Sequence, residues 1–99
     1  MYNVAIIGAG PAGIFAALEI TKLRPEWKVV IVEKGLRIEQ RKCFLREGFE
    51  KCPNCKKCGL LCGWGGAGAF SDGKLTLTPD VGGHLTDYLP RTKVEELIK

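Results

Sequence analysis

The chain has 99 residues, 45% of them hydrophobic and 26% charged, with a net charge of +4; that makes at most one small domain. Its 15 basic residues are scattered rather than gathered into the dense stripe of a nucleic-acid face, and no run reaches the ~18 apolar residues that span a bilayer. The first strand is expected just after Met1, leaving no room for a signal peptide, so the expected compartment is the cytoplasm, with no nucleic-acid and no membrane partner.

Asn3–Ile7 reads as a buried strand of the parallel kind. Pro11–Leu23 reads as a helix, with Ile14, Phe15, Ala17, Leu18 and Ile20 on its apolar face. A turn at residues 24–27 leads to a second parallel strand, Lys28–Glu33, reached by a right-handed crossover. Leu36–Glu47 is expected to be a polar, amphipathic helix, with Leu36, Cys43 and Phe44 among its apolar positions. Residues 52–62 form a cysteine-rich loop and residues 63–73 a glycine-rich segment. Leu75–Thr78 is a candidate short strand, and Thr92–Lys99 begins a helix. The expected organisation is thus α/β: a β-α-β unit over 1–35, a helix within 36–50, Cys-rich and Gly-rich loops over 51–74, and a short strand, turn and helix over 75–99.

Chemistry concentrates first in V-A-I-I-G-A-G-P-A-G, residues 4–13, and in the acid that closes V-V-I-V-E, Glu33. A glycine pattern alone is weak in a chain with 13 glycines, but this one follows an apolar run, opens a helix, and precedes an acid by 20 residues. That context is the sequence form of a Rossmann-type dinucleotide-binding unit. Gly8 permits the tight turn, Gly10 lets the backbone approach a pyrophosphate, and Gly13 lets the helix lie against the strand. Pro11 suits the first helical turn, where free N–H groups and the helix dipole favour phosphate. Glu33 is placed to accept hydrogen bonds from ribose hydroxyls and to disfavour a 2′-phosphate, against NADP at this site. A sheet of two parallel strands hides neither its faces nor its edges, and residues 36–99 offer no third strongly apolar strand. The unit is therefore expected to be incomplete, its sheet finished by the remainder of a longer chain or by a partner chain.

The second distinctive stretch is G-W-G-G-A-G-A-F-S-D-G-K-L, residues 63–75. Five glycines in eleven residues strip the backbone of side chains, exposing N–H groups to anionic or carbonyl oxygens, while Trp64 and Phe70 bracket them as apolar anchors. With G-A-G-P-A-G and V-E-K-G, this stretch resembles the amino-terminal part of FAD-dependent dehydrogenases of the two-dinucleotide-binding flavoprotein group, in a branch of NAD(P)/FAD-dependent oxidoreductases. The resemblance covers nearly the whole chain. It implies that Gly8, Gly10 and Gly13, with Pro11 and Ala12 between them, face the FAD pyrophosphate. It implies that Glu33, followed by Lys34, holds the adenosine ribose, and that Arg41, in the helix after the acid, sits near the ribose or pyrophosphate. Gly65, Gly66, Ala67, Gly68 and Ser71 become contacts beside the pyrophosphate and the flavin end. It further implies electron or hydride transfer to an unknown substrate, with NAD(P) as a co-substrate of the full-length relatives. Members of that group are several times longer than this chain.

Cys52, Cys55, Cys58 and Cys62 have the C-x2-C-x2-C-x3-C spacing of the bacterial ferredoxin run, which points to a [4Fe-4S] cluster, although Gly63 stands where ferredoxins carry proline. Zinc is a second reading, though paired C-x2-C ligands normally need a longer spacer; a redox dithiol and a plain loop are the others. In a reducing compartment five cysteines favour metal or redox chemistry over structural disulfides. His84, the only histidine, reads as solvated, and no residue stands out as a catalytic acid or base. The sequence therefore points to the FAD-binding segment of an oxidoreductase. The alternatives are a small iron–sulfur or zinc electron-transfer or interaction module, and an inactive piece of a longer flavoprotein.

Overall fold

Val4–Ile7 (β1) and Val29–Val32 (β2) lie side by side as parallel strands, in register from Val4 opposite Val29 to Ile7 opposite Val32. The computed structural model describes residues 1–99. Branched side chains occupy most positions of both strands and suit the pleated backbone. Asn3 clamps their entrances together: its N–H donates to the Lys28 carbonyl at 2.8 Å, and its Oδ1 accepts from the Lys28 N–H at 2.8 Å.

The connection is Pro11–Leu23 (α1), a 13-residue helix. Gly10, extended, precedes it, and Pro11 fills its first turn. The helix stops at Arg24, whose N–H still reaches the Ile20 carbonyl and whose guanidinium lies 5.7 Å from the centre of the Trp27 ring. Gly13 sets how closely α1 approaches β1, since a methyl group there would fall 2.1 Å from the Gly8 oxygen and 3.2 Å from Ile6 Cγ2.

The second helix, Arg91–Ile98 (α2), follows Pro90 and buries Val94. It packs against two short 3-10 turns, Pro79–Val81 and Leu85–Asp87. Arg91 tethers the first of these turns through a two-pronged ion pair with Asp80, at 2.9 and 2.7 Å, and reaches Glu95 on its own helix at 2.9 Å. The Arg91 guanidinium and the Thr78 hydroxyl hold the Asp80 carboxyl down to about 2.

Taken together, the chain is a small α/β structure with two parallel strands and two α-helices. No helix is long and apolar enough to cross a membrane. Only 4 of 99 residues are buried, while Ile7, Phe15, Leu18 and Val32 stand exposed around the sheet and α1. The radius of gyration, 16.5 Å, exceeds the ~13 Å usual for a chain of this length. Both facts follow from a sheet too narrow to be covered on two faces by one helix.

Two expected elements are absent. Leu36–Glu47 is not an α-helix: it holds one 3-10 turn, Ile38–Gln40, then an extended Arg41, then turns that end at Gly48, with φ of 96°. Arg41 is the reason, because its side chain is drawn into the following loops and its backbone leaves the helical region to allow this. Leu75–Thr78 is not a strand, since no neighbouring strand offers it a ladder. Leu75 and Leu77 are exposed, and the segment before them is shaped by local bonds from Gly73 N–H to Ser71 Oγ and from Lys74 N–H to Asp72 Oδ1.

Candidate functional site

The turn between β1 and α1 supplies the first wall of the site. Gly8 adopts φ of 101°, a conformation that side-chain-bearing residues rarely take, and its N–H continues the sheet by donating to the Val32 carbonyl. Ala9, next in the turn, is fully buried. In the first turn of α1, the N–H groups of Ala12 and Gly13 find no acceptor in the chain, as expected of helix starts. They are free donors at the positive end of the helix dipole.

Glu33, one residue past β2, faces this turn. Its Oε2 accepts the Ala9 N–H at 2.7 Å and its Oε1 accepts the Gly35 N–H at 2.8 Å. These two bonds, Ala9 first, hold the carboxyl below the usual glutamate range, with Lys34 and Arg41 adding weaker attraction; partial desolvation opposes them. A carboxylate accepts up to about four hydrogen bonds, so Glu33 keeps acceptor capacity for hydroxyl groups. Lys34 beside it is exposed.

The second glycine segment lies against the first. Gly65 donates its N–H to the Ala9 carbonyl at 2.8 Å, so Ala9 is bonded on one side by Glu33 and on the other by Gly65. Gly66–Phe70 forms a 3-10 turn entered through Gly65 in the left-handed conformation, φ 84°. A methyl group at Gly66 would sit 3.1 Å from Gly10 Cα, and one at Gly68 would sit 3.1 Å from Pro11 Cγ. Gly66 and Gly10 approach this closely because neither carries a side chain, and Gly68 leaves room for the Pro11 ring. The N–H groups of Ala67 and Gly68 also lack a backbone acceptor. Ser71 closes the turn, its hydroxyl accepting the Gly73 N–H at 2.9 Å. Residues 56 and 57 positions apart in the chain thus form one side-chain-poor ridge bearing several free N–H groups.

Arg41, expected near the ribose or pyrophosphate, lies beneath the second glycine segment. It is buried, and four of its hydrogen bonds end on backbone carbonyls: Nε on Gly59 at 2.9 Å, Nη2 on Leu60 at 2.7 Å, and Nη1 on Trp64 and Gly66 at 2.6 and 2.8 Å. Its guanidinium also lies 4.7 Å from the centre of the Phe70 ring, which Arg46 approaches at 4.5 Å. With these four donors engaged, Arg41 is a buttress under the glycine ridge. Its role was hard to foresee because carbonyl acceptors leave no trace in residue type. Gly59 and Gly63 are a partial signal: a methyl group on Gly59 would meet the Lys42 oxygen at 1.9 Å, and one on Gly63 would meet Arg41 Cδ at 2.6 Å.

Trp64 closes an apolar cavity of about 320 Å³ against Ile14, Leu18, Val29 and Ile31, beside α1 and β2. The cysteines lie on another side. Cys52 and Cys55 are exposed, Cys58 and Cys62 half-buried, all with free thiols, and no three ligating side chains stand close enough together to hold an ion. His84 is exposed, with Nδ1 3.9 Å from Asp87.

No protein-family profile matches the chain, and no solved structure matches it significantly. The chain is similar to an uncharacterized protein of Clostridium beijerinckii: the two are 36% identical over 94 residues, 95% of this chain. The chain spans 16% of the length of that relative.

Proposed function

We propose that this chain is the FAD-binding segment of a flavin-dependent oxidoreductase, built as a Rossmann-type unit. The observation that carries the reading is the seating of the Gly65–Gly68 backbone on Gly10 and Pro11, with free N–H groups on both sides of the contact. A dinucleotide diphosphate needs such a surface: close backbone approach, several N–H donors, and a helix start. Glu33 adds a carboxylate at the end of β2, where an adenosine ribose would present its hydroxyls. That carboxylate repels a 2′-phosphate, so the reading selects FAD or NAD over NADP at this position. The second glycine segment selects FAD over NAD, because a simple NAD site needs no second backbone ridge.

When bound, FAD would supply hydride or electron transfer at its flavin ring. The chain's own residues would bind and orient it. Gly8, Gly10, Ala12 and Gly13 would meet the diphosphate from one side, and Gly65, Gly66, Ala67 and Gly68 from the other. Glu33 would hold the ribose, with Lys34 beside it. The rest of the oxidoreductase, including its substrate and any NAD(P) partner, would belong to further chain of the kind the relative has, since the match covers 16% of the relative's length.

Titration of the chain with FAD, NAD and NADP, followed by flavin fluorescence for the first and tryptophan fluorescence for all three, tests the proposal. Saturable FAD binding, tighter than that of NAD and much tighter than that of NADP, is expected. A folded chain whose fluorescence and amide spectra ignore a large excess of FAD would overturn it.

A further inference from the structure

The loop of residues 52–62 does more than connect the two halves of the glycine ridge. We propose that it is a thiolate site for a soft metal centre, seated in the cavity between this loop and the chain leaving β2. That cavity measures about 290 Å³, and Cys55, Cys58 and Cys62 all stand in its wall. Lys34, Arg41, Lys42 and Lys57 share the wall, which holds no carboxylate. A centre ligated by three or four thiolates carries net negative charge, so a wall of cations without acids suits it. The same wall is poorly suited to a free metal cation without thiolates.

Only the Cys58–Cys62 half of the site is already shaped, and no three of its thiols stand close enough together to share an ion before the loop closes. The Cys62 N–H donates to the Cys58 carbonyl at 2.8 Å, closing a single turn between them. Arg41 fixes that turn from beneath through the Gly59 and Leu60 carbonyls. Gly35 is pressed on its far end, since a methyl group there would lie 2.5 Å from Gly63 Cα. The other half, Cys52 and Cys55, is exposed, with Asn54 between them at φ of 50°. Ligation requires this exposed half to close over the fixed half, and metal binding supplies the free energy for such ordering. Gly35 also donates its N–H to Glu33, so the centre would lie one hydrogen-bonded step from the carboxylate of the dinucleotide site. The inference stands apart from the flavin reading, because thiolate ligation needs no FAD.

The test is an anaerobic titration of the 99-residue chain with Co2+, read by thiolate-to-cobalt charge-transfer absorbance, with a parallel incubation in ferrous iron and sulfide. Roughly one Co2+ per chain is expected to bind, with at least a tenfold loss of affinity in Cys58→Ser and in Cys62→Ser. Cys43→Ser, outside the cavity, should bind as the parent does, and circular dichroism should show α1 intact in every variant. Iron and sulfide taken up together would identify a cluster, and binding of Zn2+ in competition with Co2+ but no iron–sulfide uptake a mononuclear site; either upholds the thiolate centre. No charge-transfer band with the parent chain, or the same band in a chain with all four loop cysteines changed to serine, would overturn it.

Discussion

The carboxylate of Glu33 accepts the N–H of Ala9 at 2.7 Å, and through it the end of β2 is tied to the turn that opens α1. Ala9 is in turn bonded by Gly65, so one buried residue joins the acid, the first glycine turn and the second glycine segment. Replacing Glu33 with glutamine keeps one acceptor oxygen and removes the charge. Glu33→Gln is expected to weaken FAD binding by about tenfold, roughly one charge-assisted hydrogen bond, and to narrow the preference for NAD over NADP. Isothermal titration with each dinucleotide reads both effects.

Acid should act on the same contact. Glu33 is held below its ordinary value of 4.5 by the Ala9 and Gly35 N–H groups, and Asp80 is held at about 2 against an ordinary 3.8. A carboxylate whose folded value is depressed contributes its stabilisation above the unfolded value and loses it as pH falls through the folded one. The Ala9–Glu33 tie should therefore be complete above about pH 5 and weaken progressively below 4.5. The Asp80–Arg91 tether should persist lower, failing between 3.8 and about 2. Protection of the Ala9 amide, taken relative to its intrinsic exchange rate at each pH, is expected to fall as pH drops below 4.5.

The glycine contacts predict a size limit. A methyl group at Gly13 would meet the Gly8 oxygen at 2.1 Å, on backbone that cannot swing aside. Gly13→Ala should cost about 1–3 kcal/mol of stability by forcing α1 off β1, read by denaturant unfolding. Gly68→Ala meets only Pro11 Cγ at 3.1 Å, so the fold should survive while the ridge shifts. FAD affinity is expected to fall at least fivefold with little change in unfolding midpoint.

Much of the β1-α1-β2 unit was legible because its signals are local. Val4–Ile7, Pro11–Leu23 and Val29–Val32 fall inside the expected spans, and both glycine segments were singled out. Leu36–Glu47 misled because its charged residues resemble the solvated face of a helix. One of them, Arg41, instead bonds carbonyls up to 25 positions away, a contact that depends on tertiary structure. Leu75–Thr78 misled because alternating leucine and threonine imply a strand only where another strand is present to pair with it. The cysteine spacing was visible, but not the basic cavity that three of its members share.

Arg41 itself can be tested. Lysine preserves the charge but not the planar fork that serves four carbonyls at once. Arg41→Lys should free the Trp64–Phe70 turn, raising its amide exchange by at least tenfold, with a loss of about 2–4 kcal/mol from unmet carbonyls and lost charge-assisted bonds. Exchange in α1 and α2 should change far less.

The most direct test of the account is the footprint of FAD on the backbone amides, recorded by heteronuclear NMR on the labelled chain. The account predicts that Gly10, Ala12 and Gly13 on one side, and Ala67 and Gly68 on the other, shift together with a single saturation curve, and that Glu33→Gln moves that curve to higher FAD. Shifts confined to one of the two segments, or none at all in the folded chain, would contradict the claim that they form one dinucleotide site.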